Sequence, residues 1–270
     1  AAINMVLGAS AAGLKSMTAT SGPGLSLMEE ALGLGFMLEL PAVIVDVMRV
    51  GPATGIPTLG AQGDIKQLIW GSHGDRETVV FAPSSVQEAF DLTIEAFNVA
   101  EELRIPVIIA SDEFIAHTYS RLKIPNPEDV VIRNRRIVSG NVKEYRPFDS
   151  SFTDVPLFAL PGLGFRFHMT GLIHDDRGYP VIDKHVTEAL LKRLIDKVRR
   201  RRRELFKFEY DEKIKEKEGV LLIAYGSIAS ISRLAVEKLR RDNINVGLLR
   251  PKVLWPIDEE ALCHIIDSGY

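Results

Sequence analysis

Short unbroken apolar runs alternate along this chain with stretches in which apolar residues return every three or four positions. The first stretch sets Ile3, Val6, Leu7 and Leu14 among Ala and Gly, which predicts a closely packed helix and then a turn at Gly13. Met17-Thr18-Ala19-Thr20 is a short strand candidate, followed by Ser21-Gly22-Pro23-Gly24. Leu25, Leu27, Met28, Leu32 and Phe36 predict one buried helix over Leu25 to Leu38, stopped by Pro41. Ala42-Val43-Ile44-Val45-Asp46-Val47-Met48 is an apolar run of strand length. The rhythm then repeats. Thr78 to Ala82 reads as a strand, Ser84 and Ser85 offer N-caps with Gln87 and Glu88 three residues on, and a helix is expected over about Val86 to Leu103. Pro106 to Ala110 is the next strand. Strands this apolar, alternating with helices, predict a parallel sheet covered on both faces.

Residues 1–120 therefore read as one α/β domain. Over 121–186 the character changes: Pro125, Pro127, Pro147, Pro156, Pro161 and Pro180 are scattered among Gly, Asp and Arg. An irregular connection of that length is functional or tied down by a partner. Residues 187–218 form a linker helix with Leu190, Leu191, Leu194, Ile195 and Val198 on one face. Residues 219–270 open a second, smaller α/β unit: a strand over Gly219 to Tyr225, a helix over about Ser230 to Arg241, a strand over Val246 to Arg250, and a further helix beginning near Leu262. A two-strand unit is too small to be a complete domain. The chain also opens at Ala1, without methionine and inside a helix-like pattern, so further residues are expected at both ends.

Composition narrows the class. Hydrophobic residues at 46% and charged residues at 26% are those of a globular protein with a sizeable core, which excludes disorder for the bulk of the chain. A net charge of -3 and a pI near 6.1 lack the basic excess of a nucleic-acid binder. The single cysteine, Cys263, can form no intramolecular disulfide and cannot by itself ligate an iron–sulfur cluster; it reads as a small apolar residue of a helix. No segment has the roughly 18 apolar residues of a membrane span. A cytoplasmic location fits these features.

Four stretches carry candidate chemistry. Thr18 to Gly24 lies between a strand and a helix, at the edge of the sheet where open α/β proteins bind ligands; its composition by itself favours a capped turn over a ligand site. Arg49 follows the apolar strand directly, and Gly51-Pro-Ala-Thr-Gly-Ile-Pro-Thr58 follows it. A guanidinium beside a rigid loop with hydroxyls could clamp a carboxylate, or could pair with an acidic neighbour. His168 to Asp176 has metal-ligand residue types, but its spacing matches no standard site and Asp-Asp-Arg-Gly is turn chemistry, so no metal is assigned. Arg199 to Arg203 is an unbroken arginine run, flanked by Glu188, Asp196 and Glu204, which reads as a solvated helix face or subunit contact rather than a nucleic-acid surface. No phosphate loop or dinucleotide fingerprint is present.

Taken together, Gly8 to Gly13 with Met17 to Gly24, Val43 to Thr58 with Gln62-Gly-Asp64, and Ala82 to Glu88 with Ala96-Phe-Asn98 resemble one family. It is the α subunit of 2-oxoacid:ferredoxin oxidoreductases, nearest the 2-oxoglutarate type. His168-Met-Thr-Gly171 and His174 to Gly178 resemble a further stretch, and Ala224-Tyr-Gly-Ser227 opens what looks like its transketolase-C-like domain. The resemblance implies a parallel-sheet, thiamine-diphosphate pyrimidine-type domain followed by the smaller α/β domain. It implies oxidative decarboxylation of a 2-oxoacid (2-oxoglutarate first) to the acyl-CoA, with ferredoxin reduced. It also implies a β-type partner carrying the diphosphate and Mg²⁺ site and an iron–sulfur cluster, which agrees with the absence here of Gly-Asp-Gly and of further cysteines. Arg49 and Thr58 match the residues that position the substrate carboxylate, and Ser21 and Gly22 fall at the cofactor. The glutamate that activates the cofactor is expected upstream of Ala1; Glu29, Glu30 and Glu39 do not align with it. The other reading of the same fold is a non-catalytic assembly subunit.

Overall fold

Apolar side chains on both faces of successive strands build a parallel sheet, because each face must be covered by helices. In the computed structural model, which describes residues 1–140, 144–211 and 219–267, that sheet is made by β1 (Met17–Thr20), β2 (Ala42–Val50), β3 (Ile56–Gly60), β4 (Val79–Phe81), β5 (Pro106–Asp112) and a late strand, Val253–Trp255. Its order is β1-β2-β5-β4 followed by the late strand. The first four run parallel, the late strand is antiparallel to β4, and β3 folds back antiparallel on the end of β2.

The two faces divide by alternation. Ile44, Met48, Ile108 and Ala110 point to a cluster with α1 (Ala2–Ala11), α2 (Gly22–Ser26), α3 (Glu29–Met37) and α4 (Ile65–Trp70). Val43, Val79, Phe81, Val107 and Ile109 point to the opposite cluster with α5 (Val86–Leu103) and, later in the chain, α7 (Lys184–Arg199). A short α6 (Glu113–Ala116) follows β5, capped by Asp112. At the start of α5, Ser85 Oγ accepts from the Glu88 amide, while the Glu88 carboxylate accepts from the Ser84 amide and hydroxyl. The serines and Glu88 thus act as the sequence implies.

The expected single helix over Leu25 to Leu38 is instead two, α2 and α3, and Leu27 at the break is exposed. Leu25 and Leu32 keep to the buried side across the break, so the apolar spacing alone does not reveal it. Between α6 and α7 the chain has little regular structure: a 3₁₀ turn at Pro127–Asp129 and two isolated bridges. Buried arginines hold this segment in place. Arg135 donates to both Glu101 oxygens and to the Ser10 and Leu14 carbonyls, and Arg104, fully buried, donates to the Glu39 and Pro156 carbonyls.

α7 begins at Lys184, earlier than the apolar face suggests, because Asp183 caps it. It ends at Arg199, well short of the helix expected over 187–218, of which 212–218 lie outside the described residues. After α8 (Arg202–Leu205) come β6 (Phe208–Tyr210), β7 (Val220–Ile223), α9 (Gly226–Arg241), β8 (Val246–Pro251), β9 (Val253–Trp255, the late strand above) and α10 (Glu259–Asp267). The second sheet therefore has three strands where the sequence suggested two, in the order β6-β8-β7, with β6 antiparallel and β7 parallel to β8. Strand β6 is too short for its alternation to be read. Cys263 lies on α10 with its side chain exposed. No helix among the described residues is long and apolar enough to cross a membrane.

Candidate functional site

The carboxyl ends of β1 and β2 open into a cleft of about 720 Å³, lined by Gly22, Pro23, Arg49, Gly51, Asp64 and Gln67 among others. This is the edge at which open α/β sheets bind ligands. α2 starts at the cleft: Ser21 is its extended N-cap and Pro23 sits in its first turn, where a missing amide hydrogen costs nothing. The Ser21 hydroxyl is buried and has no hydrogen-bond partner within the described chain. Gly22 borders Asp64 so closely that an added Cβ would lie 3.4 Å from Asp64 Oδ2.

Arg49 projects from the end of β2. One terminal nitrogen donates to the Thr54 carbonyl at 3.0 Å, which folds the 51–55 loop over the guanidinium, while its Nε is buried without a partner. The register between β2 and β3 slips between Arg49, opposite Gly60, and Val50, opposite Ile56. Thr58 lies in the bulged stretch this creates and is exposed, outside the cleft lining. Arg49 and Gly22 thus meet at one cleft, with Ser21 directly behind; Thr58 stands on the adjoining hairpin.

Two residues that the sequence did not single out lie at the heart of this site. Asp46 is fully buried on β2, and burial together with the neighbouring Asp64 carboxyl pushes its pKa up to about 8. Burial also raises Asp64, with Asp46 and the Arg49 charge acting the other way. Glu29 is raised by burial against the pull of Arg76, 3.6 Å away. The signal for Asp46 was present in the sequence: a carboxyl in the middle of a strand otherwise apolar on both faces.

The other candidates resolve into structural roles. Asp175 Oδ1 accepts from the Arg177 and Tyr179 amides, and His174 packs on Phe148 with Nδ1 2.8 Å from the Leu172 carbonyl. In the arginine run every member meets a carboxylate: Arg199 with Glu77, Arg200 with Asp196, Arg201 with Asp154, and Arg202 and Arg203 with Glu260.

This fold and this cleft define an open α/β protein with a ligand-sized cleft at the carboxyl edge of its parallel sheet. Residues 1–190 match the family described as "Pyruvate flavodoxin/ferredoxin oxidoreductase, thiamine diP-bdg", and residues 219–269 match "Pyruvate:ferredoxin oxidoreductase core domain II". The chain belongs to the 2-oxoacid:ferredoxin oxidoreductase α-subunit family. It is 41% identical to the 2-oxoglutarate synthase subunit KorA of Methanocaldococcus jannaschii, over 96% of this chain and 69% of that relative. It is 38% identical to the ketoisovalerate oxidoreductase subunit VorB of Methanothermobacter thermautotrophicus, over 100% of this chain and 68% of that one. A solved structure, 2-oxoglutarate:ferredoxin oxidoreductase from Magnetococcus marinus with 2-oxoglutarate, coenzyme A and succinyl-CoA bound, superposes with a TM-score of 0.89 at 35% identity. The match covers 99% of this chain and 46% of that one, so this chain spans just under half of its length.

Proposed function

We propose that this chain is the α subunit of an enzyme that oxidatively decarboxylates a 2-oxoacid to its acyl-CoA and passes the electrons to ferredoxin. The carrying observation is the cleft itself, where Arg49 and the α2 N-terminus converge at the carboxyl ends of β1 and β2. The unpartnered Ser21 hydroxyl and the side-chain-free Gly22 fit the polar ring of thiamine diphosphate, which supplies the carbanion chemistry when bound. Gly22 lets the ring approach the backbone. Arg49 binds the 2-oxoacid carboxylate, its unpartnered Nε facing an anion that the Thr54 carbonyl cannot replace. Arg49 thereby holds the ketone in a reactive position. Thr58 is the second substrate contact in this proposal, from the adjoining hairpin just outside the cleft lining.

The diphosphate, its Mg²⁺ and an iron–sulfur cluster belong on a β-type partner in this reading. The relatives' names as subunits support a partner chain, and the CoA bound to the Magnetococcus neighbour supports CoA as co-substrate. 2-Oxoglutarate is the first substrate, since three KorA relatives at 41–42% identity exceed the VorB relative at 38%. The test is viologen reduction by the full α chain assembled with its β partner, supplied with thiamine diphosphate, Mg²⁺, CoA and a panel of 2-oxoacids. CoA-dependent reduction with 2-oxoglutarate is expected. No reduction with any 2-oxoacid in a cofactor-loaded complex would instead make the chain a non-catalytic assembly subunit.

A further inference from the structure

Asp64, on the loop before α4, and Arg49, on β2, are the charged side chains that line the cleft. Behind them acid outnumbers base: Asp46 on β2 and Glu29 at the start of α3 stand against Arg76, which pairs with Glu29. Asp46 is wholly buried, and no amide or hydroxyl reaches either of its oxygens; the Gly22 amide favours its ionised form without closing a hydrogen bond of ordinary geometry. Asp64 Oδ2 is likewise buried without a partner, and its carboxyl neighbours that of Asp46. Two carboxylates in contact and out of water cannot both be ionised, and the contact becomes a hydrogen bond only when one carries a proton. Gly22 borders Asp64: a Cβ added there would stand at van der Waals contact, 3.4 Å from Asp64 Oδ2.

We infer that Asp46 and Asp64 form a one-proton carboxyl pair that positions the cleft wall and keeps its charge low enough for an anion to bind at Arg49. The inner member, Asp46, holds the proton and donates to Asp64; the outer member, Asp64, lines the cleft. With one proton shared, the carboxylates of Asp64 and Glu29 are matched by Arg49 and Arg76. Without it, an incoming carboxylate meets an excess negative charge beside its only guanidinium among the residues lining the cleft. These are positioning residues, and the inference rests on the reading of Arg49 as the anion's partner. It predicts that affinity for the 2-oxoacid falls as the pair loses its proton, in the window above about pH 8.

Two measurements on the assembled αβ complex test this. In infrared difference spectra at neutral pH, wild type minus Asp46→Asn and wild type minus Asp64→Asn should each show the C=O stretch of a protonated carboxyl. No such band in either difference would overturn the shared proton. In steady-state assays, the wild-type KM for 2-oxoglutarate should climb above pH 8, by up to about tenfold per unit for a single proton. Asp46→Asn keeps a donor toward Asp64 and cannot ionise, so its KM should stay flat over that window while kcat follows the wild-type pH profile. A band present in the spectra with identical KM profiles for both proteins would make the pair purely structural and overturn the positioning role. If Asp46→Asn does not assemble, Asp64→Asn carries the infrared measurement, and a wild-type KM that stays flat above pH 8 overturns the positioning role. A wild-type complex inactive on every 2-oxoacid refutes the functional reading instead, and the infrared band still decides the pair.

Discussion

Glu39 is fully buried with Lys197 Nζ at 2.8 Å and Arg193 at 2.7 Å, and burial opposes its charge while Lys197 and Arg193 overcome it, taking its pKa down to about 2. A carboxylate whose folded pKa lies below its unfolded one adds stability above the unfolded value. That stability is lost as pH falls from about 4.5 toward 2. We expect acid unfolding across that window, and Glu39→Gln should flatten the slope in denaturant titrations taken at stepped pH. Lys197→Met leaves Glu39 with Arg193 alone and should cost about 3 kcal/mol in the same titration. Arg49 makes the opposite kind of contact, half-exposed and short of partners. Arg49→Ala should lower kcat/KM for the 2-oxoacid on the order of tenfold to a hundredfold, with little change in melting temperature. Arg49→Lys should recover only part, because an ammonium cannot reproduce the planar fork.

Among the elements, α5 shows local chemistry deciding a boundary. Ser85 and Glu88 satisfy its first amides, and Glu88 is also held by Arg250, so one carboxylate serves both the helix cap and the second unit. Ser85→Ala should cost about 1 kcal/mol in chemical denaturation and leave substrate affinity unchanged. The strands were legible because burial on both faces leaves near-continuous apolar runs, as at β5, where every residue is buried. The break between α2 and α3 was not, since the periodic pattern persists across it. Strand β3 was missed for a related reason: its residues are mostly exposed, and it exists only because the end of β2 offers it a partner.

At the scale of the molecule, the two sheets are joined through Gln62, on the loop that leads to Asp64. Asp112, at the end of β5, accepts from Gln62 Nε2 at 3.1 Å and from the Ser227 amide at 2.9 Å, and the Tyr225 hydroxyl donates to the Gln62 carbonyl at 3.0 Å. Gly226 makes this approach possible: its φ is +60°, and an added Cβ would stand 2.5 Å from Gln62 Nε2 and 2.9 Å from Asp112 Oδ2. Gly226→Ala should therefore lower stability by about 1–3 kcal/mol and split thermal unfolding into two transitions. Gln62 is two residues from Asp64, so the substitution should also raise KM for the 2-oxoacid. The sequence by itself determined the alternation of buried strands and amphipathic helices, the caps and turns, and the place of Arg49 at a strand end, because each depends on neighbours a few residues away. Only the tertiary structure decided that Val253–Trp255 would close the first sheet, that Thr58 would sit in a bulge, and that Asp46 would meet Asp64. Those outcomes depend on which surfaces remain to be covered once the sheet has formed, and on how far burial from water alters the charge a side chain can keep.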